Sequence, residues 1–316
     1  MTATPIAPFG LNRALLHAPL LWLAILMAIA SILAAIGLVV DPRLVTGAPL
    51  WAKPLKFSLS IGLYALTLAW LLGMLQRHIR LTWWLGTITA VFLAVEMVVI
   101  GGAAALGTTS HFNVSTPLTT TLWSVMAVSV VIVWSAAIFV AILLWRQQLS
   151  DRARALAIRA GLVIGVVGMG LAFFMTSPNA EQLSDFQGIA GAHTVGLPDG
   201  GEGLPLLGWS TVAGDLRVPH FIGMHALQLL PLSALFLELL GRRFGALRNE
   251  AVRLRIVAIL TVLYGAITVV LTAQALSGQS IMQPDGVVIA VTSVLLASAA
   301  TAIAFSLKAQ HPVAAH

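Results

Sequence analysis

Apolar residues run in long stretches along this chain, separated by short segments that carry most of its charge. Eight stretches reach the roughly 20 residues a helix needs to cross a bilayer: 15–40, 55–75, 81–106, 119–145, 156–176, 220–240, 254–277 and 286–307. The pattern predicts an all-α fold, a polytopic helical membrane bundle of eight transmembrane helices in a single domain. Ala28-Ile-Ala30 resembles a signal-peptide cleavage site, but the apolar run around it exceeds the about 7–15 residues of a signal core, so the first span is expected to be retained.

Composition agrees with the pattern. Hydrophobic residues make up 59% of the 316 positions and charged residues 9%, with a mean hydropathy of +0.97. A soluble domain carries about a quarter charged residues. The formal charge of +6 lies in short clusters beside the spans, which is a topology signal rather than a nucleic-acid footprint, so no nucleic-acid partner is expected. Arg13, Arg77, Arg80, Arg146, Arg152, Arg154, Arg159, Arg242, Arg243, Arg248, Arg253, Arg255 and Lys308 fall on one side of the spans. Only Arg43, Lys53, Lys56 and Arg217 fall on the other. Positive charge marks the cytoplasm, so both termini are expected inside and the long segment 177–219 outside. The outer side also holds His111, His193 and His220 and most of the acids, so any chemistry is expected there.

Two stretches hint at two four-helix halves in parallel duplication. Pro54-Leu-Lys-Phe57 opens the second span and Val218-Pro-His-Phe221 the sixth; Ala105-Leu-Gly-Thr-Thr-Ser110 follows the third and Ala275-Leu-Ser-Gly-Gln-Ser280 the seventh. Parallel repeats of this kind build some transporters.

Polar groups at membrane depth are the candidate chemistry. Glu96 lies about ten residues from the outer end of the third span, in line with Thr89 and Thr82. A carboxyl there is either bonded to a neighbouring helix or a proton or cation site. Lys56, Ser60, Tyr64 and Thr67 form one polar face, and Thr261, Tyr264, Thr268 and Thr272 another. Gly161, Gly165 and Gly168 read as a close-packing face. His225 and Gln228, three apart, share a face that would meet this polar interior, whereas His220, five before His225, points elsewhere and reads as part of the loop. Glu96, His111, His225, Gln228, Lys56, Tyr64 and Tyr264 are therefore the ligand-binding candidates. His111, His225 and Glu96 are a candidate divalent-metal set, and His111 with His225 a candidate haem pair, although no HxxxH or HExxH spacing occurs. Isolated, internally bonded polar residues are the competing reading. Zero cysteines exclude disulfides, iron–sulfur clusters and a thiol nucleophile, and no nucleophile elbow, phosphate loop or dinucleotide fingerprint is present.

Segment 177–219 is rich in glycine, with a strong turn at Pro198-Asp-Gly-Gly201. It reads as a lid over the bundle, with His193, Asp199, Trp209, Asp215, Arg217 and His220 as its polar and aromatic contacts, or else as a flexible connector. Ser110-His-Phe-Asn113, Gly191-Ala-His-Thr-Val-Gly-Leu-Pro-Asp-Gly200 and Gly214-Asp-Leu-Arg-Val-Pro-His-Phe-Ile-Gly-Met-His-Ala-Leu-Gln228 resemble segments of an uncharacterised family of bacterial multi-helix inner-membrane proteins. The likeness runs from Asp41 to about Gln283 and implies a bacterial inner-membrane location and a common fold, with no activity to carry over. Three functions fit the polar groups: a small-solute transporter or permease, a membrane-embedded enzyme or haem/metal redox protein, and a ligand-binding sensor. The partners expected are membrane lipid and a small-molecule ligand.

Overall fold

The computed structural model describes residues 17–308; Arg13, both termini and the first residues of the first span lie outside them. All eight expected helices are present: α1 (Ala18–Val40), α2 (Ala52–Leu72), α3 (Ile79–Ala105), α4 (Pro117–Arg146), α5 (Arg152–Gly170), α7 (Arg217–Gly241), α8 (Glu250–Leu276) and α9 (Gly286–Lys308), with a five-residue helix α6 (Ala180–Ser184) in the long loop. Each of the eight is long and apolar enough to cross a membrane. Four of them begin three or four residues earlier than the apolar runs suggest, because polar first turns such as Arg217–His220 continue the helix without being hydrophobic. Side-chain caps fix several starts. Thr116 and Thr119 form a reciprocal capping box before α4, Asp151 accepts from Arg154 N–H at 2.8 Å, and Asn249 accepts from Ala251 N–H at 2.9 Å.

The four long helices of each half pack in the same order. In the first half α1 meets α2 and α3, α2 meets α3, and α3 meets α4; in the second, α5 meets α7 and α8, α7 meets α8, and α8 meets α9. The halves join through α4 and α5 and through a hydrogen bond from α7 to α2. A two-stranded antiparallel ribbon precedes the second long helix of each half: β1 (Leu44–Val45) with β2 (Ala48–Pro49), and β3 (Thr194–Val195) with β4 (Gly214–Asp215).

Within the second half α5 and α7 come closest. A Cβ at Gly168 would strike the Gly223 backbone, and one at Gly161 would meet the Ala226 carbonyl at 2.7 Å. Without a hydrophobic drive between helices in lipid, such close backbone contact supplies the packing energy. Connections 73–78, 147–151 and 242–249 share one side of the bundle, the basic side. Arg154 pairs with Glu238 at 2.5 Å and Arg253 with Asp151 at 2.7 Å there, tying α5, α7 and α8. Connections 41–51, 106–116, 171–216 and 277–285 share the opposite side.

Candidate functional site

The long loop is a folded cap, built on backbone hydrogen bonds to its neighbours. Val114 N–H donates to Gly188 O, Ala190 N–H to Phe112 O, and Gly214 N–H to Gly278 O, each at 2.8 Å. It starts with a 3-10 turn over Leu171–Met175 and ends where α7 begins, so residues 217–219, read as loop from sequence, belong to the helix. Its keystone is Asp215, 1% exposed. That carboxylate accepts from Ser210 N–H at 2.8 Å, Arg217 N–H at 3.0 Å, and the Arg217 guanidinium at 2.6 Å. A buried carboxylate needs this many donors to offset the loss of water.

Three cations gather under the cap at the starts of α2 and α7. Lys56 Nζ donates to Leu207 O at 2.8 Å, and Arg217 Nη2 to Gly208 O at 2.5 Å. A point above Gly208 lies 3.8 Å from both Lys56 Nζ and Arg217 Nη1, so the two cations are near neighbours. Lys53, one turn before Lys56 on the same face, sits 6.0 Å from the Phe57 ring centroid. Among the described residues it has no hydrogen bond and no ion pair.

An aromatic group lies beside these cations. The His111 ring centroid is 5.5 Å from Phe57 and from Trp123, and Phe112 is 5.3 Å from Trp123 and 4.9 Å from His193. Glu96 on α3 is 2% exposed, and its Oε1 has no hydrogen-bond partner among the described residues. Burial holds His111 well below its ordinary pKa, and the neighbouring charges of Lys53 and His193 push the same way. Burial also lowers His193, against the opposing pull of Asp199, whose carboxylate meets its Nδ1 at 2.6 Å. Burial alone would raise Asp199, but hydrogen bonds from His193 and Thr194 hold it well below the usual carboxylate range. Both rings are therefore neutral near pH 7, and Asp199 is ionised.

The sequence candidates divide. Lys56, Glu96, His111, His193, Asp199, Asp215 and Arg217 gather at the cap end, with Trp209 stacked 6.3 Å from Phe221 at the head of α7. His225 and Gln228 do share a face, their side chains 3.3 Å apart, and Gln228 donates to Thr67 of α2 at 3.3 Å. Eleven residues of helix separate Gln228 from Arg217 and Thr67 from Lys56, about 16 Å of rise. This pair therefore lies near mid-membrane, below the cap group and not level with it.

His220 is not a loop residue: it lies in the first turn of α7, its Nδ1 2.8 Å from Gly168 O of α5. The Tyr264 hydroxyl donates to Ile222 O at 2.5 Å, and Thr268 and Thr272 bond their own helix backbone. Three of the four residues of the α8 stripe are thus spent on internal ties; the buried Thr261 hydroxyl has no hydrogen-bond partner among the described residues. Tyr64 lines a small apolar cleft with Leu68, Met169 and Leu227, no larger than about one water. Nor do His111, His225 and Glu96 form a metal set; no group of three or more His, Asp and Glu close enough to hold an ion occurs among the described residues. The Nδ1 atoms of His111 and His225 already meet Ser110 and Gln228, at 3.0 and 3.3 Å. The three-residue metal set therefore has no geometric support.

Sequence reasoning missed Lys53, Phe57, Phe112 and Trp123. Lys53 carried a signal, since Lys53, Lys56 and Phe57 occupy one face by their spacing of three and four. The aromatic group carried none, because Phe112 and Trp123 come from a loop and another helix. Comparison with protein-family models, curated proteins and solved structures gives no match.

Proposed function

We propose that this protein is a small-solute permease of a bacterial inner membrane, with both termini cytoplasmic and a site on the capped side that takes an anion from outside. The asymmetry of Lys and Arg across the eight spans supports that orientation. The single observation that carries the reading is the use of Lys56, and of Arg217 beyond its ion pair with Asp215, as donors to the neutral carbonyls of Leu207 and Gly208. Charge-assisted hydrogen bonds to an anion are stronger than those to a carbonyl, so the cap's own oxygens stand where a ligand's carboxylate would be bound better. Lys53 adds a third cation, without a partner among the described residues, and the starts of α2 and α7 add their dipoles. The repeated neighbour pattern of the halves favours transport over sensing, because transporter sites form where structural repeats meet.

The test is thermal stabilisation of the purified full-length protein by acetate, lactate and benzoate against glucose and tetramethylammonium. The carboxylates are expected to stabilise it, and Lys53→Met and Lys56→Met to remove the effect. Stabilisation by the neutral or cationic probes with none by the carboxylates would contradict the reading.

A further inference from the structure

Glu96 and Lys53 are a buried acid and a base that do not pair. Both helices that carry them leave the basic side together, joined by the short connection 73–78. Lys53 stands 19 residues from Leu72 and Glu96 17 residues from Ile79, which is about 28 and 26 Å of rise, so the two lie nearly level. No ion pair or hydrogen bond joins them. Salt bridges form readily between such groups when both are charged, and a buried carboxylate without a donor leaves its charge unsolvated. A carboxyl in this position is either protonated or about to be paired.

The other groups facing it are few. Besides Lys53, α2 carries Lys56, bonded to the cap, and Tyr64, in the cleft with Met169 and Leu227; α1 has no ionisable residue between its ends, and α4 has only Arg146, at the basic side. His111, in the segment after α3, sits above on the cap side, in ring contact with Phe57. Lys53 is therefore the natural counter-charge for an ionised Glu96.

We propose that Glu96 is a proton-binding site, filled from the cap side, whose ionised form is balanced by Lys53. In the step, the Glu96 carboxyl O–H breaks, the proton passes to water at the cap side, and the carboxylate takes Lys53 as its ion-pair partner. Refilling reverses each change. Binding an anion at Lys53 competes with that ion pair, so anion and proton would enter together. This coupling rests on the permease reading above; the protonation of Glu96 does not.

An infrared titration of the full-length protein in lipid nanodiscs, from acid to alkaline pH, tests the proton site without any solute. The carbonyl band of a protonated carboxylic acid is expected in the wild type at neutral pH, where ordinary carboxyls are ionised, fading as pH rises further and absent at neutral pH in Glu96→Gln. Lys53→Met should preserve that band to higher pH, by about one unit, because the carboxylate loses its counter-charge. If Glu96→Gln does not fold, Glu96→Asp should move the band in frequency. A wild type without the band, or a band unchanged in either Glu96 variant, overturns the proposal. Anion stabilisation measured on the same preparations shows separately whether the permease reading stands.

Discussion

Lys56 and Arg217, on different helices, hold adjacent carbonyls of the cap, Leu207 at 2.8 Å and Gly208 at 2.5 Å. Their loss should not be equal. Lys56→Ala removes one exposed hydrogen bond, worth about 1 kcal/mol. Arg217→Ala also strips the buried Asp215 carboxylate of its ion-pair partner, which costs about 3–5 kcal/mol. Limited proteolysis within residues 196–212 should accelerate modestly in the first variant and strongly in the second. Equal cleavage would show that Asp215 does not anchor the cap.

Mild acid should loosen the same cap. In the opened loop His111 and His193 take up protons near about pH 6.5, but in the folded loop both do so lower. Between those values the opened state binds more protons, so cap stability is full above about 6.5 and falls as pH drops below it, by up to about 1.4 kcal/mol per unit for each histidine. Asp199 acts in a separate window. Its depressed folded pKa adds stability that is fully present above about pH 4 and lost only as pH falls further, through its folded value. Proteolysis of the cap followed from pH 8 to about pH 5 should accelerate toward acid, with a shallower slope in His111→Phe. A flat profile in the wild type would place both rings in solvent.

The α5–α7 contact has no slack. Gly168→Ala places a methyl group into the Gly223 backbone and should abolish recovery of folded protein. His220→Ala leaves the Gly168 carbonyl without its tie and should cost about 1 kcal/mol, seen as a lowered unfolding temperature with normal yield. Normal yield from Gly168→Ala would mean the two helices can separate.

The existence and order of the eight spans were legible in the sequence because helices in lipid must be apolar over a fixed length. The helical spacing that joins His225 to Gln228 was legible for the same reason. The depth of that pair was not, since nothing in the apolar run says that α7 starts at Arg217, three residues before it. Nor could the sequence separate a polar stripe that lines a site from one that is spent. Tyr264 and Thr268 look alike as letters, but one bonds α7 and the other its own turn. The cap's role emerged from pairings between segments far apart in the chain, such as Lys56 with Leu207 and Val114 with Gly188.

The permease reading, with its anion entering from outside, depends on the capped end of the bundle facing outward. The chain has no cysteine, so single substitutions report cleanly. Gly201→Cys, in the cap, where a side chain meets open space, should react with a membrane-impermeant thiol reagent in intact cells, and Gly245→Cys, between α7 and α8, only after the cells are opened. Labelling of Gly245→Cys from outside, with Gly201→Cys protected, would reverse the bundle and contradict the account.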